Sequence, residues 1–202
     1  MSTYVISDIH GCYEPFLTLL HKIGFCEKDW LVLAGDYIDR GTDSFEMLQW
    51  MEHCPEHTVL LRGNHEEEFA AYTDLMLWFD KKEKLGTDKS SNREAKALYG
   101  SLQYFFRKNK TRFYFDSYGT VLNLLEHSGA TLEDLCRWSA MIRRMPYVAQ
   151  CEILDKTYFV VHAGYAESLE GLGSGFSHLE DFYLYARQES IVNGGKQHAV
   201  IV

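Results

Sequence analysis

The stretch Leu31-Val32-Leu33-Ala34-Gly35-Asp36 decides how this chain is read. It is apolar on both faces, which suits a strand buried in a sheet covered on two sides, and it stops at a glycine and a carboxylate. Three further runs share the design: Tyr4-Val5-Ile6-Ser7-Asp8 with His10-Gly11, Val59-Leu60-Leu61-Arg62-Gly63-Asn64-His65, and Tyr158-Phe159-Val160-Val161-His162-Ala163-Gly164. Each places an oxygen or nitrogen donor at the carboxyl end of its strand. Phe16, Leu19, Leu20 and Ile23, with Pro15 near the start and Gly24 at the stop, predict a helix after the first run; Phe45, Leu48 and Met51 predict another after the second. The order is then β-α-β-α-β. Right-handed crossovers make these strands parallel and bring their carboxyl ends to one edge, where open α/β sheets bind ligands.

Outward from this core, residues 66 to about 145 read as mainly helical, with stripes at Phe69, Tyr72, Met76 and Phe79 and at Leu135, Trp138 and Ile142. The second stripe opens on Thr131-x-x-Asp134, a capping-box pattern, and stops before Pro146. Lys81 to Arg93 is polar and lysine-rich and reads as a solvated loop. With 202 residues, 46% hydrophobic and 24% charged, the chain has the make-up of an ordinary globular domain. No apolar run is long enough to span a bilayer, and the start lacks the pattern of an export signal. A net charge of −9 repels a phosphate backbone, so nucleic acid is not an expected partner. Cys12, Cys26, Cys54, Cys136 and Cys151 are odd in number and form no Cys-x-x-Cys pair, which fits reduced thiols and a cytoplasmic location.

Asp8, His10, Asp36, Asn64 and His162 form a mixed carboxylate, amide and imidazole set suited to Mn²⁺, Fe²⁺ or Zn²⁺. Crowded carboxylates repel one another, and a cation relieves that cost. Asp8 to Asp36 and Asp36 to Asn64 are both steps of 28 residues, about one strand-helix-strand unit, so each step returns to the same edge.

Asp8-x-His10, Gly35-Asp36-x-x-Asp39-Arg40-Gly41, Gly63-Asn64-His65-Glu66 and His162-Ala163-Gly164 resemble the signature of calcineurin-like metallophosphoesterases. The Asp39-Arg40-Gly41 and Asn64-His65-Glu66 forms are similar to the serine/threonine phosphatase branch, particularly its small bacterial and phage members. The resemblance implies an α/β sandwich (α/β/β/α), two sheets covered by helices, with a helical insertion after the third strand forming one wall of the site. It implies two divalent ions, Asp8, His10 and Asp36 holding the first and Asp36, Asn64 and His162 the second, with a hydroxide between them attacking phosphorus in line. By the same resemblance His65, paired with Asp39, is the general acid. Arg40, Asn64 and Arg187 bind substrate phosphate, although the family's usual tryptophan near Arg187 is Tyr185 here. In the family a further strand leads into a Gly-His-Thr loop whose histidine completes the second site. Ala199-Val200-Ile201-Val202 resembles that strand cut off before the loop, so the expectation is one phosphoesterase domain over 1–202, truncated there.

The resemblance implies metal-dependent hydrolysis of phosphomonoesters, first of all phosphoserine or phosphothreonine of proteins, with phosphorylated proteins or small phosphoesters as substrates. Cleavage of dinucleoside polyphosphates is the alternative, and a phosphate- or protein-binding relic with impaired catalysis is a third. Ser190 to Lys196 fails the nucleotide-loop pattern, and Gly171, Gly173 and Gly175 read as a crossover. Asn193-Gly194-Gly195 reads as a turn. His21, His53, His57, His127, His178 and His198 have no comparable partners, and Cys12 reads as a bystander beside the site.

Overall fold

The computed structural model describes residues 1–84, 116–153, 156–170, 176–186 and 199–201. In chain order the elements are β1 (Thr3–Ile6), α1 (Tyr13–Lys22), β2 (Trp30–Leu33), α2 (Ser44–Glu52), β3 (Thr58–Leu60), α3 (Asn64–Lys84), α4 (Asp116–Glu126), α5 (Leu132–Ile142), β4 (Val148–Ile153), β5 (Lys156–Val161), α6 (Leu179–Tyr185) and β6 (Ala199–Ile201). They fall into two compact units, Met1–Glu67 with Met141–Val202, and Glu68–Ala140.

The first unit is the α/β part. β1, β2 and β3 form a parallel sheet in that order, with Thr3 opposite Trp30, Ile6 opposite Leu33 and Leu33 opposite Leu60. The β-α-β-α-β reading therefore holds. β2 is the central strand, and its Leu31 and Leu33 are fully buried, each contributing about 1.5–3 kcal/mol of burial free energy. β1 departs from the expectation of burial on both faces: Thr3 and Val5, on one face of the strand, are exposed, and Tyr4 and Ile6, on the other, are half-buried.

The second sheet runs β4-β5-β6, with β4 antiparallel and β6 parallel to β5. Val32, Ala34 and Leu61 from the first sheet and its edge meet Val160 of the second in one apolar cluster, against which Val59, Ala149 and Cys151 pack. This is the expected sandwich. α1 buries Phe16 and Leu20. It stops at Gly24, whose φ of +67° lets its N–H donate to His21 O (3.1 Å) and that of Phe25 to Leu20 O (3.0 Å). Phe182 of α6 and Ala186 just after it pack against Ala166 and Ala163, which anchors the loop after β5.

The second unit is helical. Phe69 and Tyr72 of α3 and Leu135 and Trp138 of α5 are buried, as the apolar stripes predict, while Met76 is half-buried; Ala70 of α3 and Val121 and Leu124 of α4, outside those stripes, are buried as well. The Phe79 side chain lies outside the described residues. The capping box forms: Asp134 N–H donates to Thr131 Oγ1 (3.2 Å), and Thr131 N–H donates to Asp134 Oδ2 (2.7 Å). Lys81 to Lys84 continue α3 instead of opening a loop, and the rest of that stretch to Arg93 lies outside the described residues. No helix of the described residues is long and apolar enough to cross a membrane.

Candidate metal centre

The loops after β1 and β2 are laced together by their backbones. Asp8 N–H donates to Gly35 O (3.1 Å), His10 N–H to Asp36 O (2.9 Å), Gly11 N–H to Tyr37 O (2.7 Å) and Gly41 N–H to His10 O (2.9 Å). Asp8, His10, Asp36, Asp39 and Arg40 all sit at positive φ, from 48° to 70°, a conformation that costs L-residues roughly 1–2 kcal/mol each. Strain of this kind persists where the surrounding structure over-determines the backbone. A Cβ on Gly35 would lie 2.6 Å from Gly63 Cα, and one on Gly63 would strike the Asp36 carboxylate and backbone nitrogen. Glycine at both places lets the loops after β2 and β3 meet backbone to backbone.

Asp36, buried, stands at the centre. Its Oδ2 is 3.5 Å from His10 Nε2, and its Oδ1 is 3.3 Å from His162 Nε2. His10 Nδ1–H donates to Ile38 O (3.0 Å) and His162 Nδ1–H to Ala34 O (2.9 Å), which fixes both rings in the tautomer that turns a bare Nε2 inward. Asn64 Oδ1 lies 2.9 Å from His162 Nε2, and Asp8 Oδ1 lies 3.7 Å from His10 Nε2. Five groups with lone pairs therefore converge. His10 Nε2 is buried without a hydrogen-bond partner among the described residues. Acceptors do not hold one another at such distances, and a cation among them satisfies every one of these groups. The predicted ligands Asp8, His10, Asp36, Asn64 and His162 are brought together, with Asp8 the most open at 52% side-chain exposure.

The charges respond to this crowding. The His10 imidazole beside it holds the Asp8 carboxyl down at about 2. Burial opposes a charge on His10, but Asp8, the Ile38 carbonyl and Asp36 outweigh it and raise that ring.

Beside the cluster, His65 Nδ1 is 2.6 Å from Asp39 Oδ2, and its Nε2 is 3.8 Å from Asp36 Oδ2. Burial disfavours charge on His65, yet the bond to fully buried Asp39 and the charge of Asp36 raise it to about 9. Arg40, exposed, reaches Nε2 of His65 with Nη2 at 3.3 Å. His65 also forms a compact donor group with His10 and Asp36, their ligand atoms all within 4.8 Å of one another.

Two residues carry weight that the motif reading left unassigned. Glu66, fully buried, accepts N–H bonds from Asp36 (2.7 Å), Tyr37 (2.8 Å) and Gly63 (3.0 Å). Burial and the Asp36 charge push its carboxyl upward, against the pull of the Tyr37 and Asp36 N–H donors. Arg62, the one charge in an apolar strand run, donates to Ile142 O (3.1 Å), Glu67 Oε2 (2.9 Å) and Tyr147 Oη (2.6 Å), pinning the end of β3 to the turn before β4. Its signal was the charge itself, placed where a fourth apolar residue would have continued the run.

Arg187, Gly171, Gly173, Gly175, Ser190 to Lys196 with its Asn193-Gly194-Gly195 turn, His198 and Val202 lie outside the described residues. Cys12 is exposed, with Sγ 3.7 Å from His10 O. His57 packs against Trp30 with ring centroids 4.9 Å apart and the planes tilted by 41°, while His21, His53, His127 and His178 are exposed.

A family model described as calcineurin-like phosphoesterase matches residues 1–192. Among curated proteins, the symmetrical bis(5'-nucleosyl)-tetraphosphatase of Buchnera aphidicola subsp. Acyrthosiphon pisum (strain Tuc7) is 48% identical over 67 residues, and that of Escherichia coli (strain K12 / DH10B) is 42% identical over 67. In both, the match covers 33% of this chain and 24% of the relative. Among solved structures, a protein serine/threonine phosphatase from Saccharomyces cerevisiae aligns over 94% of this chain and 46% of its own, at 19% identity and a TM-score of 0.47. A cold-active protein tyrosine phosphatase mutant aligns over 81% and 44%, at 20% identity and a TM-score of 0.41.

Proposed function

The chain belongs to the calcineurin-like phosphoesterases, and from that premise we propose that it is a metal-dependent hydrolase of phosphate monoesters, acting on phosphoserine or phosphothreonine of proteins. The observation that carries this reading is the convergence of two tautomer-locked Nε2 atoms, from His10 and His162, on the two oxygens of Asp36. Asp8, His10 and Asp36 would hold one divalent ion and Asp36, Asn64 and His162 the other, with Asp36 common to both. Bound there, such ions make water a nucleophile at neutral pH and offset charge on phosphoryl oxygens. The donor set suits Mn²⁺, Fe²⁺ or Zn²⁺, and we take Mn²⁺ as the native ion.

His65 supplies the proton for the leaving alkoxide, and Asp39 orients its ring and favours its charged form. Arg40 offers a planar guanidinium to phosphoryl oxygens, a contact that Asn64 and Arg187 extend. We read 1–202 as one phosphoesterase domain carrying the helical residues as an insertion, and its five free cysteines support a cytoplasmic setting. The test is hydrolysis of a phosphopeptide by the Mn²⁺-loaded chain. Two bound equivalents of Mn²⁺ with no turnover of phosphopeptide or aryl phosphate would overturn the assignment.

A second reading, cleavage of dinucleoside polyphosphates, is favoured by one observation: the tetraphosphatase relatives are 42–48% identical to this chain over 67 residues. Comparing kcat/KM for diadenosine tetraphosphate and a phosphopeptide separates the two. One bound equivalent or none, with both substrates inert, would instead mark a relic without catalysis.

A further inference from the structure

We infer that Glu66 is a positioning residue for the metal centre, acting through the backbone and touching no ion or substrate; the inference rests on reading the Asp36 cluster as that centre. Three N–H groups from two loops end on one carboxylate. Oε2 receives the N–H of Asp36 at 2.7 Å and of Gly63 at 3.0 Å, while Oε1 receives that of Tyr37 at 2.8 Å. Asp36 stands at φ +58°, and the successive N–H groups of residues 36 and 37 make a small anion-binding nest of the kind a carboxylate fills.

Each loop so gripped delivers a metal-ligand candidate. The loop after β2 delivers Asp36, and the loop after β3 delivers Asn64, one residue beyond Gly63. The distance between these two donors is thus set by a single side chain, 0% exposed and locked to both. Its own helix continues the circuit, since His65 N–H donates to Asp36 Oδ1 at 3.2 Å. A glycine at 63 is required for the grip, because a Cβ there would stand 2.7 Å from Glu66 Oε2. Glutamine cannot replace the carboxylate: it has the same length, but one of its two ends is an NH₂ that would face N–H donors.

The experiment compares the wild-type chain with Glu66→Gln, using Mn²⁺ as the probe. Calorimetric titration should show Mn²⁺ binding weakened roughly 10–100-fold in the variant, as for outer-shell substitutions at metal sites. Saturating Mn²⁺ should restore most of the aryl phosphate hydrolysis, so that the loss lies in metal occupancy, and Glu66→Asp should recover less than full affinity. A folded Glu66→Gln chain with unchanged Mn²⁺ affinity would overturn the inference. Should that variant fail to fold, amide exchange in the wild-type chain decides: the Asp36, Tyr37 and Gly63 N–H groups must be strongly protected without metal, and rapid exchange at them overturns the inference. Wild-type protein that binds no Mn²⁺ would instead overturn the metal-centre reading, whatever the exchange data show.

Discussion

At the scale of single residues, the proposed site divides between groups that would hold a cation and groups that would move a proton, and substitutions should separate them. Asp36 faces both His10 and His162, so Asp36→Asn should abolish Mn²⁺ binding in calorimetry together with hydrolysis. His65→Asn should keep both equivalents of metal and slow turnover by about 10²–10⁴-fold; full activity in that variant would remove His65 as the acid. The donors themselves were legible in the sequence because each ends an apolar run, a position that needs no knowledge of tertiary contacts. Glu66 was not, since a carboxylate one residue past His65 looks like any helix-start acid until the three N–H groups that it accepts are in view. Arg62 was hidden for a related reason. Its partners, Ile142, Glu67 and Tyr147, are mostly some eighty residues away. Removing its side chain should leave buried carbonyls unpaired at about 1–3 kcal/mol each, which Arg62→Leu would report as a lowered denaturant midpoint.

At the scale of elements, local chemistry predicted helix ends better than strand environments. The α1 stop at Gly24 and the Thr131–Asp134 box at the start of α5 both follow from residues within a turn of the cap, which a sequence displays in full. Thr131→Ala should cost about 0.5–2 kcal/mol in thermal or denaturant unfolding. The Thr131 contacts hold Asp134 below its ordinary value, so the contribution of its carboxylate is present above that ordinary value and is lost as pH falls through the lowered one. The stability gap between wild type and Asp134→Asn should accordingly shrink on strong acidification. Strand β4 escaped notice because Val148 to Ile153 mixes polar and apolar residues, and composition alone does not declare its pairing with β5. The exposed face of β1 was missed because burial of a face depends on what packs over it, which an apolar sequence does not state.

At the scale of the whole molecule, the parallel half was legible because 28-residue steps return the chain to one edge, whereas the second sheet sets β4 and β5, neighbours in the chain, beside β6, which follows only after α6. Binding at that edge should be felt by the entire fold. Mn²⁺ at a hundred times its dissociation constant stabilises a one-site protein by about 2.7 kcal/mol, so melting should shift upward from chelator to Mn²⁺, and equal midpoints would count against a resident ion. The five left-handed residues around the cluster have a further consequence for heat tolerance. Arg40→Gly should relieve about 1 kcal/mol of torsional cost and lift the melting point while stripping away the guanidinium. Selection for thermal resistance would thus meet resistance at these loops: the substitutions that most easily harden the scaffold are the ones that silence it.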